Sequence, residues 1–123
     1  MSKVLKIWGR KLRLNIDMDC IDDEIITPIQ EETLSAFLSE KTIIDNALPK
    51  VKEYCLAEKE LNGEKSIENI FKYVSPKTIF VPRDDKKKTV AILCDYYFDE
   101  EHGIAIVFEN GLLKRIVEQD DVI

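Results

Sequence analysis

With 123 residues, 45% hydrophobic and 34% charged, the chain has the size and composition of one folded domain, too short for two and too apolar for disorder. A formal net charge of −6 argues against nucleic acid, whose phosphates need a basic footprint. No apolar run approaches the roughly 20 residues that span a bilayer. The opening MSKVLKIWGRKLRL also lacks the apolar core and cleavage site of a secretion signal, so a cytoplasmic protein with no membrane contact is expected.

At the N-terminus, VLKIW and KLRLNI flank Gly9-Arg10 and predict a hairpin. Lys3, Lys6, Arg10, Lys11 and Arg13 make it basic, without one acid before residue 15. Residues 17 to 40 then carry eight acids and no lysine or arginine. Within them DMDCIDDE invites comparison with a calcium loop, but the sixth position counted from Asp17 is Asp22 rather than glycine and the twelfth is Pro28 rather than glutamate. Asp22, Asp23 and Glu24 read instead as an acidic approach to a helix N-terminus, where negative charge is favoured.

That helix begins at Thr27, whose hydroxyl, Pro28 in the first turn and Gln30 three residues on form a capping box; it should run to about Leu38 and bury Leu34, Phe37 and Leu38. A second apolar stripe, Ile44, Ala47, Leu48, Val51, Tyr54 and Cys55, predicts a helix ending near Asn62-Gly63. Pro49 requires that it start only at about Asp45 or bend there. A third short helix is expected from a Ser66 cap, with Ile67, Ile70, Phe71 and Val74 on one face and Ser75-Pro76 as its stop.

Strand signals follow at 77 to 81, 89 to 98, 103 to 109 and 112 to 118, with RDDKKK as a polar loop, giving a four-stranded antiparallel meander. Asn110-Gly111 is a type I′ hairpin turn. Pairing outward from it sets Phe108 opposite Leu113, Ile106 opposite Arg115 and Ile104 opposite Val117 on the core face. The other face, around Val107, Leu112 and Ile116, is half apolar and could be covered by a second subunit. The expected architecture is α+β: the meander and the N-terminal hairpin as an antiparallel sheet, with two or three helices on one face, all in residues 1-123.

For chemistry the chain offers little. Cys20, Cys55 and Cys94 are odd in number and far apart, neither a zinc pattern nor a disulfide framework, and Cys55 and Cys94 sit in apolar stripes as small buried hydrophobes. The nucleophile elbow, the P-loop and the dinucleotide fingerprint are absent from the sequence. The densest polar group is Asp99-Glu100-Glu101-His102-Gly103. One histidine is thin for a catalytic zinc site, and the spacing suits a turn, with Asp99 accepting backbone N–H groups and Gly103 at positive φ. No catalytic residue, metal or cofactor is assigned. Asp99, Glu101 and His102 are the candidate functional turn, and protonation of His102 would be favoured by its acidic neighbours.

The run ILCDYYFDEEHGIAIVFENG, with ITPIQEETLSAFL before it and Gln119-Asp120-Asp121 after it, resembles an uncharacterised family of small bacterial cytosolic domains of unknown function. The most specific match is D-x-E-H-G-I-A-I-x-F, carried by Asp99, Glu101, His102, Gly103, Ile104, Ala105, Ile106 and Phe108. The likeness covers residues 20 to 123, and the stretch before Cys20 departs most. Some members are suspected to be immunity proteins of bacterial toxin systems, so the resemblance implies a toxin-immunity-like inhibitor and brings no catalytic residues with it. The reading is a non-enzymatic binding domain whose acidic residues Asp22, Asp23, Glu24 and Glu100 meet a basic protein partner. The alternative is a small metal-assisted or acid-base enzyme centred on His102, Asp99 and Glu101, and a homodimer through the half-apolar face is a third possibility.

Overall fold

A computed structural model describes residues 1–19, 26–40, 42–83 and 87–122. Cys20, Asp22, Asp23 and Glu24 lie outside the described residues. The elements are β1 (Ser2–Ile7), β2 (Arg10–Met18), α1 (Pro28–Ser39), α2 (Thr42–Leu56), β3 (Val74–Val81), β4 (Thr89–Tyr96), β5 (Ile104–Glu109) and β6 (Leu112–Glu118). The six strands form one sheet in chain order. Every neighbouring pair is antiparallel except β2 and β3, which run parallel because the chain between them crosses over through both helices. The N-terminal hairpin thus belongs to the same sheet as the meander, and the class is α+β with a mostly antiparallel sheet.

Strand alternation gives the sheet two unlike faces. On one, Ile7, Leu14, Ile79, Ile92, Ile106 and Phe108 share a buried cluster with Leu34 and Phe37 of α1 and Ala47, Val51 and Cys55 of α2. On the other, Phe80, Ala91, Leu93, Ala105 and Val107 form a smaller buried cluster, with Val117 and Val122 packed against it. Each fully buried aliphatic side chain contributes roughly 1.5–3 kcal/mol, so the first cluster dominates stability.

The capping box at Thr27 is complete, and Gln30 does more than cap. Its side chain is buried, accepts from the Thr27 amide at 3.0 Å, and donates to the Asp19 carbonyl at 2.7 Å and the Val81 carbonyl at 3.1 Å. One amide thereby ties the start of α1 to the exits of β2 and β3.

Several expectations are corrected. The first hairpin turns at Trp8-Gly9, not Gly9-Arg10, since Ile7 pairs with Arg10. A two-residue hairpin turn of this kind needs positive φ at both central positions, and Trp8, at 50°, is held there by tertiary contacts. Its amide donates to Asp45 Oδ1 and its indole to the Ile44 carbonyl, both at 3.0 Å, and its ring lies 5.8 Å from that of Phe71. α2 begins at Thr42, so of the two alternatives for Pro49 the late start at about Asp45 is not the one taken, and the helix ends at Leu56, short of Asn62-Gly63.

The third helix is only a 3₁₀ turn at Ile70–Lys72, capped by Asn69, not Ser66. Val74 already belongs to β3, and Ser75-Pro76 lies within that strand at a register shift, because pairing with β4 wins over a weak local helix signal. β6 carries a bulge: Phe108 pairs with Leu113, but Val107 pairs with Arg115 and Ile106 with Ile116. Lys114 is the extra residue. The slip keeps both Leu113 and Ile116 against the main core, where an unbroken register would have put Arg115. It also splits the supposed half-apolar face, since Val107 lies in the second cluster while Ile116 packs on the first. β4, finally, stops at Tyr96, and the chain turns at Tyr97 and Phe98.

Candidate functional site

The loop from Tyr97 to Gly103 joins the end of β4 to the start of β5 and is held from within. Asp99 accepts the His102 backbone N–H at 3.2 Å, and the Gly103 amide donates to the Asp99 carbonyl at 2.9 Å. Gly103 has a φ of 65°, and a Cβ there would stand 2.6 Å from the Cys94 carbonyl and collide with the Gln119 side chain. That closeness has a purpose in the fold. Gln119 Nε2 donates to the Cys94 carbonyl at 2.9 Å, fastening the end of β6 beside the loop.

The Asp99 carboxylate also meets the His102 ring, with Nδ1 3.0 Å from Oδ1 and 3.1 Å from Oδ2. This hydrogen bond, then the Asp99 charge, holds the imidazole pKa above its ordinary value, with Glu101 and Glu118 adding smaller effects and desolvation opposing them. The charged form of the solvent-facing ring is therefore favoured. Glu118 is not foreseen beside it by the sequence. Asp99, His102 and Glu118 each present a ligand atom within 4.8 Å of the others. The β6 bulge is the reason, because it sets Glu118 opposite Ile104 where an unbroken ladder puts Val117. Glu100 and Glu101 are exposed on the same loop.

Aromatic side chains support this end of the sheet. Tyr73 stacks on Phe98 at 5.3 Å, and Tyr97 and Tyr96 meet Phe98 edge-on at 5.2 and 5.5 Å. The Tyr96 hydroxyl donates to Glu58 at 3.0 Å, and burial raises its pKa first among several causes. Tyr54, whose ring lies 5.8 Å from that of Tyr96, is raised by burial and then by Glu58, Glu118, Cys55 and Asp99, so it too feels the acidic field. Cys55 and Cys94 are buried free thiols. Burial pushes Cys55 up to about 11 and raises Cys94 further, which keeps both as unreactive thiols at neutral pH.

The structure thus brings Asp99 and His102 together, adds Glu118, and leaves Glu101 as an exposed neighbour. What the arrangement can do chemically is limited to attracting cations, holding a proton, or ligating a metal with three side chains.

The family described as a domain of unknown function, DUF6985, matches residues 2–123, and the chain belongs to it. The match takes in the N-terminal hairpin, which lies outside the resemblance carried by residues 20 to 123. No curated protein and no solved structure gives a match.

Proposed function

We propose that this member of the family is a cytoplasmic, non-enzymatic protein-binding domain, of the toxin-immunity kind, whose acidic end engages a basic partner. One observation carries the reading. Asp99, Glu100, Glu101, Glu118, Asp120 and Asp121 gather where β4 ends, β5 begins and β6 ends, and among the described residues none of them pairs with a lysine or arginine. Unneutralised carboxylates on a loop fixed by Gly103 and Gln119 give a field that steers a cationic surface and a frame that need not reorder on binding. Asp22, Asp23 and Glu24 join the proposal on sequence alone. The helices, in this reading, cover the face of the main cluster and leave the strand ends clear. Leu112, 73% exposed, is what remains of the surface considered for a homodimer.

The test is capture from lysate of the cells that make the protein, comparing the wild type with a variant carrying Glu100→Lys, Glu101→Lys and Asp120→Lys. The reading expects one basic protein retained by the wild type at low salt, released by high salt and absent from the variant. Equal retention by both forms would contradict it.

A second reading is favoured by the triad itself. Asp99, His102 and Glu118 make the set of an open divalent-metal site, which would supply Lewis-acid chemistry to a small enzyme. It ranks lower because Asp99 and His102 Nδ1 already satisfy each other, so a cation must displace that hydrogen bond or bind through Nε2. An unchanged melting temperature with excess zinc, manganese or magnesium would remove it, since a ligand that prefers the folded state must raise stability.

A further inference from the structure

The opposite side of the charge distribution holds a second surface. β1 is an edge strand, and its two-residue turn makes Ile7 and Arg10 a hydrogen-bonded pair, so the bonds recur at Leu5/Leu12 and Lys3/Leu14. The bond from the Ile16 amide to the Met1 carbonyl, 2.9 Å, continues that series. The N–H and C=O groups of Val4 and Lys6 therefore point away from β2. They meet no other protein group among the described residues.

Beside this edge runs a groove of about 480 Å³ between β1 and the helices, with Leu5, Phe37, Leu38 and Ile44 among its apolar lining residues. Of the acids on its helix side, Asp45 accepts from the Trp8 amide and Glu40 from the Thr42 hydroxyl at 3.1 Å, and Lys3 and Lys6 line the same groove from β1. On the other side of the sheet, alternation and register place Lys6 opposite Lys11 and Arg13 opposite Val4, which is 47% exposed. Like charges directly opposite destabilise a strand pair. None of Lys6, Lys11 and Arg13 is in an ion pair among the described residues.

We infer that the edge of β1 accepts an extended peptide segment as a seventh strand, with apolar side chains on one face and acidic ones on the other. Its backbone pairs with Val4 and Lys6, its apolar residues enter the groove beside Leu5, Leu38 and Ile44, and its carboxylates meet Lys6, Lys11 and Arg13. Charge complementarity selects the occupant, since the hairpin carries five cations against one acid, Asp17, which lies beyond the part of β2 that pairs with β1. The surface is separate from the acidic end, and the inference stands whether or not the proposed function does.

The experiment uses a short fluorescein-labelled peptide of alternating valine and glutamate, with a valine–lysine peptide as control. Saturable anisotropy is expected for the first peptide only, together with slowed hydrogen exchange at the Val4 and Lys6 amides. Lys6→Glu combined with Arg13→Glu should weaken binding by about tenfold or more. Val4→Pro should abolish it, because the lost N–H faces the open edge and not β2. Should Val4→Pro fail to fold, exchange at the Val4 amide in the wild type decides the matter. Equal binding of both peptides, protection elsewhere than β1, or no binding up to roughly millimolar peptide would overturn the inference and leave the lysines as guards against edge-to-edge aggregation.

Discussion

The basic hairpin of β1 and β2 and the acidic end around Asp99 are built by different means. The hairpin is a ladder whose turn is fixed from outside, by Trp8 reaching to the first turn of α2. The acidic loop is fixed from inside, by Asp99 capping its own turn and by Gly103 making room for Gln119. Position of charge therefore depends on a distant anchor in one region and, in the other, on local backbone chemistry reinforced by the bond from Gln119 to the Cys94 carbonyl. Both regions keep their charges without lysine–carboxylate pairing among the described residues, and unpaired charge of one sign costs stability unless a partner uses it.

The sharpest way to break the contrast is Gly103→Ala. Positive φ and the collision with the Cys94 carbonyl and Gln119 should together cost about 3 kcal/mol, seen as a lower urea midpoint with an unchanged slope. Trp8→Ala should cost about 2 kcal/mol by removing the indole hydrogen bond to the Ile44 carbonyl and a half-buried ring, and hydrogen exchange should quicken in β1 while the loop at Asp99 stays protected.

A pH experiment isolates the acidic end. Because the folded-state pKa of His102 is raised, its contribution to stability is complete below its unfolded value near 6.5 and is lost as pH rises through the higher folded value. Asp99→Asn should flatten that decline and return the histidine titration, followed by NMR, toward its ordinary value. A titration unmoved by the substitution would show that the two side chains do not interact in solution. The smallest effect is expected at Lys11→Glu, which turns the like-charge pair with Lys6 into an attractive one and should add about 0.5 kcal/mol in thermal unfolding.

Much of the frame is legible in the amino-acid sequence. Thr27, Pro28 and Gln30 announce the start of α1, and Asn110-Gly111 sets the last hairpin, because both signals are local backbone chemistry. What escapes such reading depends on contacts distant along the chain. The bulge at Lys114 follows from the choice between Arg115 and Ile116 for a place in the core, and Glu118 reaches His102 only through that bulge. Counting apolar residues outward from the turn raises the question, since an unbroken register places Arg115 on the core face. The loss of the third helix has the same origin, for β4 recruits Val74 into pairing against its helical spacing. Of the candidate site, composition finds Asp99 and His102 and misses Glu118.

The central claim is that the two charged regions are separately addressable surfaces. Amide chemical-shift mapping of the labelled protein with a short lysine–arginine peptide, and then with the valine–glutamate peptide, tests it directly. The account predicts that the basic peptide perturbs residues 97 to 103 and 117 to 121 while the acidic one perturbs residues 2 to 7, Lys11, Arg13, Leu38 and Ile44. Shifts spread evenly over the sheet, or both peptides moving the same residues, would contradict it.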